Sequence, residues 1–241
     1  MTLVDILVVG GTALSSSLLG SVAGTGGTLV LLPVLVRYFG MQDAVSIVTL
    51  ANAGANLSRT VMYWREVDRR VVGWFTLSSL PLTVLGTWLF TLTAPDLLTR
   101  LLGAFMLGMV LWRRLYATAP RKRDAKWFLP LGIGFGFLNG LVPSVGPLMA
   151  PFFLAYGLLK GSYIGTDACI TVIMQVTKLA VFKSAQVLSN DIMFYGALLI
   201  PLMFVGALLG KILVDRLPAW VFALIIELTI VLAGLDFLVR G

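Results

Sequence analysis

The sequence predicts an all-α integral membrane protein built from two inverted repeats, each a broken or re-entrant helical hairpin followed by three transmembrane helices. Three observations carry this. The chain is 59% hydrophobic and 12% charged, with a mean hydropathy of +0.97, whereas soluble domains carry roughly a quarter charged residues. Its apolar segments recur twice in one order, on either side of a basic linker. Each copy opens with a glycine- and proline-rich interruption inside an apolar run.

The 241 residues suffice for one membrane domain of several spans and leave no room for a large water-soluble one. The first apolar stretch has neither the basic start nor the small-residue cleavage site of a signal peptide, so it is expected to be retained. A span needs roughly 20 apolar residues. In the first repeat, residues 1–118, the segments are a hairpin over 4–40, interrupted between 22 and 27, and helices over 43–64, 71–92 and 96–117. A basic cytoplasmic linker follows at 119–126. The second repeat, 127–241, holds a hairpin over 127–158 and helices over 161–183, 191–213 and 218–239. Matching positions recur in order: Thr28 with Gly146, Pro33 with Pro151, Thr49 with Thr166, Gly86 with Gly206, Pro95 with Pro218. A hairpin returns the chain to its side and three crossings are odd in number, so the second copy is inverted relative to the first.

The basic residues orient the chain. With the N-terminus outside, Arg65, Arg69, Arg70, Arg113, Arg114, Arg121, Lys122, Arg123, Lys126, Lys160, Lys211 and Arg216 all fall inside. Arg37, Lys183 and Arg240 are left outside with Asp43, Asp96 and Asp191. That asymmetry predicts both termini outside a multi-pass plasma-membrane protein. The net charge of +7 and pI near 9.9 thus report orientation, and no nucleic-acid partner is expected. One cysteine, Cys169, and no histidine exclude an internal disulfide and argue against zinc or haem. No cofactor, no metal and no ATP-driven motor are expected.

The interruptions are the candidate site. In lipid, irregular backbone survives only inside protein or beside a wet cavity. "VAGTGGTLVLLP" at 22–33 places Gly24, Thr25, Gly26, Gly27 and Thr28 where a helix should continue, with Pro33 beyond. "GLVPSVGPLMAP" at 140–151 repeats the device with Pro143, Ser144, Val145, Gly146 and Pro147. A helix that starts after such a break aims free amides and a positive dipole end at the tip, and two such ends make an anion site. The alternative is that the small residues only let helices pack closely. Paired breaks in two halves are a pointer to a transporter site.

"GTGGTLVLLPVL" followed by "AVSIVTLANAGAN", and "GLVPSVGPLMAPFFL" followed by "GTDACITV", resemble the two halves of the TauE/SafE sulfite exporter family, also known as TSUP. The stretch "VDRRVVGWFTLSSLPLTVLGTWL" resembles its next helix, so the likeness covers nearly the whole chain. The family's glycine-rich element falls on Gly24, Gly26, Gly27, Leu29 and Pro33, with Thr28 where a third glycine is usual. In the second half it falls on Gly146, Leu148 and Pro151, with Ser144 and Val145 in place of glycines. The resemblance implies a membrane carrier, not an enzyme, that moves sulfite, thiosulfate, an organosulfonate or another small organic anion. A passive anion channel, a carboxylate carrier and a non-transporting scaffold are the rival readings.

Polar residues inside the spans extend the site. Thr49, Asn52, Asn56 and Arg59 recur at three or four residues and share a helix face, as do Asp167, Thr171, Gln175 and Lys178. Asn52, Asn56 and Gln175 are candidate substrate ligands; interhelical hydrogen bonding is the bland alternative. Arg59 and Lys178 are candidate gating charges near opposite mouths, with snorkelling as the alternative. Asp167 is expected to pair with Lys160 or Lys211. Glu227, mid-way along the last span, is a candidate carrier of a coupling proton; a carboxylic acid bonded to a neighbouring helix is the alternative. The expected partners are a small anionic substrate, the lipid bilayer and, as an open option, a second copy of the chain in a homodimer.

Overall fold

The computed structural model describes residues 3–23, 28–115, 124–214 and, beyond those, 228, 231–232, 234–235 and 237–239. The regular elements of the described residues are all helices, without a strand. In order they form α1 (Leu3–Ala23), α2 (Thr28–Phe39), α3 (Met41–Met62), α4 (Arg69–Leu92), α5 (Pro95–Leu115), α6 (Phe128–Leu141), α7 (Gly146–Tyr156), α8 (Lys160–Ser184) and α9 (Asn190–Val214). The described positions of the last predicted span are helical. Arg69–Leu92, Gly161–Ser184 and Asn190–Leu209 are each long and apolar enough to cross a membrane.

The short segments double back. Phe128, which opens α6, stacks on Phe153 at 5.4 Å between ring centroids and meets Tyr156 edge-on at 5.5 Å. Phe135 meets Phe152 further along. The start of α6 therefore lies beside the end of α7, and the two form a hairpin. Fourteen residues of α6 rise about 21 Å and eleven of α7 about 16 Å, too short for a hydrocarbon core of about 30 Å. In the first hairpin Tyr38, near the end of α2, is hydrogen-bonded to Asp5 at the start of α1, so this pair closes on itself as well. Each hairpin ends on a glycine at positive φ: Gly40 at 77° after α2 and Gly157 at 108° after α7. A side chain there would be strained. Pro33 and Pro151 each stand sixth in their helix.

Helices of the two halves are interleaved. α4 packs on α6, α1 on α9, α3 on α8 and α9, and α4 on α8. On α6, Gly132 lies against Phe75 and Ser78, Gly136 against Ser79, and Gly140 against Gly86 and Thr87. The numbers rise together, so α4 and α6 run parallel, with backbones close enough that a Cβ on any of these glycines would clash. Ser78 Oγ donates to Leu129 O (2.6 Å) and Thr83 Oγ1 to Gly136 O (3.1 Å) across this seam. α1 and α9 are also parallel: Gly10 faces Leu202, Gly206 faces Leu14, and Ser17 Oγ donates to Met203 O.

The central pair runs the other way. Gly161 and Gly165 of α8 lie against Glu66 and Tyr63, beyond the end of α3, so α3 and α8 are antiparallel. α5 meets the last span antiparallel too, with Gly103 against Gly234 and Leu238, and Gly234 against Leu107. Asp68 fastens this end of the bundle. Its carboxylate caps α4 by accepting from Arg70 N and Val71 N (3.0 and 3.1 Å) and lies near the Tyr156 hydroxyl; its own N–H donates to Thr166 Oγ1 (2.9 Å). Polar side chains concentrate on α3 and α8 inside the bundle, while Leu57, Val61, Leu77, Val176, Leu198 and Phe204 are among the exposed apolar residues of the periphery. An apolar periphery around a polar interior suits lipid rather than water.

Candidate functional site

The second interruption lies at 142–145, between the end of α6 and the start of α7. Pro143 cannot donate a backbone hydrogen bond and biases Val142 to the extended backbone it adopts (φ −118°, ψ 154°). The chain resumes as helix at Gly146, with Pro147 in the first turn where a missing N–H costs nothing. Thus Gly146, a predicted break residue, is the first residue of α7. Leu148 N and Met149 N both donate to Val145 O (3.0 and 3.2 Å). The amides of Val145 and Gly146 meet no backbone acceptor among the described residues. Val142, Ser144 and Val145 are buried.

Two residues of α8 clasp this break. Lys178 has no exposed surface, and its Nζ donates to Asn139 O (2.8 Å) and Val142 O (3.0 Å). These carbonyls belong to the last turn of α6 and the residue after it, at the negative end of the helix dipole. The snorkelling alternative does not describe this lysine: its ammonium is turned inward to an interrupted helix. Phe182 lies beneath, its ring centroid 6.0 Å from Nζ. One turn back, Gln175 Nε2 donates to Pro143 O (3.3 Å) while Gln175 Oε1, fully buried, has no partner. Asn139 is 2% exposed and its Nδ2 is likewise unpartnered. Unpaired buried polar atoms cost about 1–3 kcal/mol each, so two at one break stand out.

α3, which packs on α8, contributes further buried polar residues. Asn52 and Asn56 are buried, and Asn56 is locked within its helix: Nδ2 donates to Asn52 O (3.0 Å) and Oδ1 accepts from Arg59 Nη1 (3.3 Å). Thr49 Oγ1 is turned back to Val45 O (2.6 Å) and Thr60 Oγ1 to Asn56 O (2.9 Å), so both hydroxyls bond within α3 rather than to a neighbouring helix. Arg59 lies at the far end of α3, where the carboxyl of Asp167 is its principal charged neighbour, with Tyr163 and Tyr63 close by. Among the described residues, Asp167 and Arg59 are therefore charged neighbours. The side chains of Lys160 and Lys211, expected as partners of Asp167, lie outside the described residues.

Gly24, Thr25, Gly26 and Gly27 of the first break lie outside the described residues, as does Glu227. Thr28 opens α2. Asn139 escaped sequence analysis altogether. Its signal was present, as the one amide in the apolar run "FLPLGIGFGFLNGL".

The family profile described as Sulfite exporter TauE/SafE matches residues 9–237. The chain belongs to the TauE/SafE family. No curated protein and no solved structure matches it. TauE/SafE membership accords with the long apolar helices and makes the chain a membrane transporter by family.

Proposed function

We propose that this TauE/SafE chain is a secondary transporter that carries a small sulfur-containing anion, sulfite, thiosulfate or an organosulfonate, out of the cell by alternating access. The observation that carries the reading is the break at 142–145: a helix interruption, free amides and one ammonium meet where neither water nor lipid reaches. Val145 and Gly146 amides receive the oxyanion, Lys178 supplies the charge, and Ser144, Gln175, Asn52 and Asn56 complete the hydrogen bonds. Gly24–Thr28 form the equivalent half from the first break. Preorganised donors of this kind stabilise an anion because they are already aimed at it.

The interleaved packing supports two inverted copies, residues 1–118 and 127–241. Under the register of the repeat, α4 on α6 is the counterpart of α9 on α1, and α4 on α8 that of α9 on α3. Each helix pair that links equivalent positions, α3 with α8 and α5 with the last span, is antiparallel, as inversion requires. The parallel runs put the starts of α4, α6 and α8 on one side, which the basic loops mark as cytoplasmic. Transport then proceeds by rocking one half against the other around the fixed site. Glu227 is the coupling-proton candidate.

The test is flux into proteoliposomes with sulfite, thiosulfate, methanesulfonate and a small carboxylate, with and without a pH gradient. Saturable flux of the sulfur oxyanions, lost in Gly146→Leu, is expected. Full flux in that variant overturns the location of the site, non-saturating flux makes the protein a channel, and no flux of any anion removes the transporter reading.

A further inference from the structure

The unpaired atoms at the second break differ in kind, and the difference specifies a ligand. Asn139 Nδ2 and the third N–H of Lys178 are donors, suited to bare anionic oxygens. Gln175 Oε1 is an acceptor, and it lies within a residue that is 1% exposed. Its orientation is set by chemistry: the other end of the amide donates to Pro143 O, which a carbonyl oxygen cannot do. A fully deprotonated oxyanion at this place satisfies the donors and leaves Gln175 Oε1 facing lone pairs. A ligand with an O–H satisfies both.

Charge leads to the same class. Among the described residues Lys178 is the one cation at the break, its contacts being two carbonyls and a ring with no carboxylate. Asp167 lies eleven positions away along α8, about 16 Å along the helix. One buried positive charge is matched by a single negative one.

We propose that the second break selects a singly charged oxyanion that still carries one hydroxyl proton, with Gln175 Oε1 accepting that proton's hydrogen bond and Asn139 Nδ2 and Lys178 Nζ donating to the bare oxygens. The inference rests on the reading of this break as the substrate site and narrows it. Of the anions named above, sulfite alone takes this form near neutral pH, as hydrogen sulfite; thiosulfate and sulfonates have no hydroxyl. Gln175 is then the residue that sets specificity.

Two isosteric monoanions isolate the hydroxyl. Methanesulfonate has three bare oxygens; methylphosphonate, held between its two ionisations, has the same shape and charge with one oxygen protonated. Both are titrated by calorimetry into the full chain in lipid nanodiscs, with sulfate as the dianion. Methylphosphonate is expected to bind about tenfold tighter than methanesulfonate, the cost of leaving one buried acceptor unpaired, with sulfate weakest. In Gln175→Met the ratio of the two affinities is expected to fall to about onefold, whatever the change in either affinity alone. Equal affinities in the unmodified protein, or sulfate as the tightest ligand, overturn the protonated-ligand inference and leave the anion site standing. No binding of any of the three overturns both. The unmodified chain decides between these outcomes even where Gln175→Met does not fold.

Discussion

Lys178 and Arg59 are both cations on the central antiparallel pair, and their surroundings differ. Arg59 reaches the amide oxygen of Asn56 and has the Asp167 carboxyl as its main charged neighbour. Among the described residues Lys178 meets the carbonyls of Asn139 and Val142 and the ring of Phe182, with no carboxylate beside it. A carboxylate cancels a charge, whereas carbonyl dipoles hold one in place without cancelling it. The charge of Arg59 is therefore largely offset, whereas that of Lys178 at the break is not, and under the proposed function it is left for the anion. A cation's worth to an anion site depends on what already answers it.

The largest expected effect sets these two regions against each other. Lys178→Met should weaken sulfite binding by about 10- to 100-fold, the loss of a charge-assisted hydrogen bond. The double variant R59Q/D167N, which leaves the net charge unchanged, should stay within about fivefold of the unmodified protein. Calorimetry in nanodiscs reads both. Similar losses in the two would erase the contrast.

Next in size comes the frame that holds the carbonyls under Lys178. Gly136→Leu drives a side chain into the Ser79 backbone, and overpacking of this kind costs about 1–3 kcal/mol. Gly134, two residues away on the same helix, has open space around it, so Gly134→Leu should change stability by less than about 0.5 kcal/mol. Thermal unfolding in detergent measures the difference; equal melting temperatures would mean that the α4–α6 seam is not close-packed.

A double-mutant cycle on Arg59→Gln and Asp167→Asn sharpens the other side. The coupling should be about 1 kcal/mol or more, because the two act as one unit. Additive losses would show that Asp167 does not answer Arg59. The smallest effect is expected at Thr83→Val, which removes the hydroxyl bond to Gly136 O and should cost about 0.6 kcal/mol.

Much of the helical plan was legible because lipid demands long apolar runs and confines arginine and aspartate to their ends. The helix expected over 71–92 runs Arg69–Leu92, and that expected over 191–213 runs Asn190–Val214. The break at Pro143 was legible too, since proline and the residue before it have few ways to continue a helix. The clasp on the break was not. Lys178 lies near the end of α8 in sequence, which suggested a side chain reaching for the membrane surface. Only the return of α7 beside α6 shows that an interrupted helix end waits there. Asn139 was passed over because a single amide in an apolar run has no periodicity to read. Asp167 was expected to meet a lysine of its own half. The side chains of Lys160 and Lys211 lie outside the described residues, and the nearness of the Asp167 charge to that of Arg59 depends on the antiparallel course of α3 and α8, a tertiary fact that no spacing along the chain encodes.

The glycines at 132, 136 and 140 have a mechanical consequence. Where main chain touches main chain, no rotamer can flip to let one partner slip along the other. α6 and α4 are coupled like a carriage bolted to its rail, and any rearrangement that moves one must swing the two as one block. If the proposed rocking occurs, its joints lie elsewhere, along contacts made by long side chains that can trade neighbours.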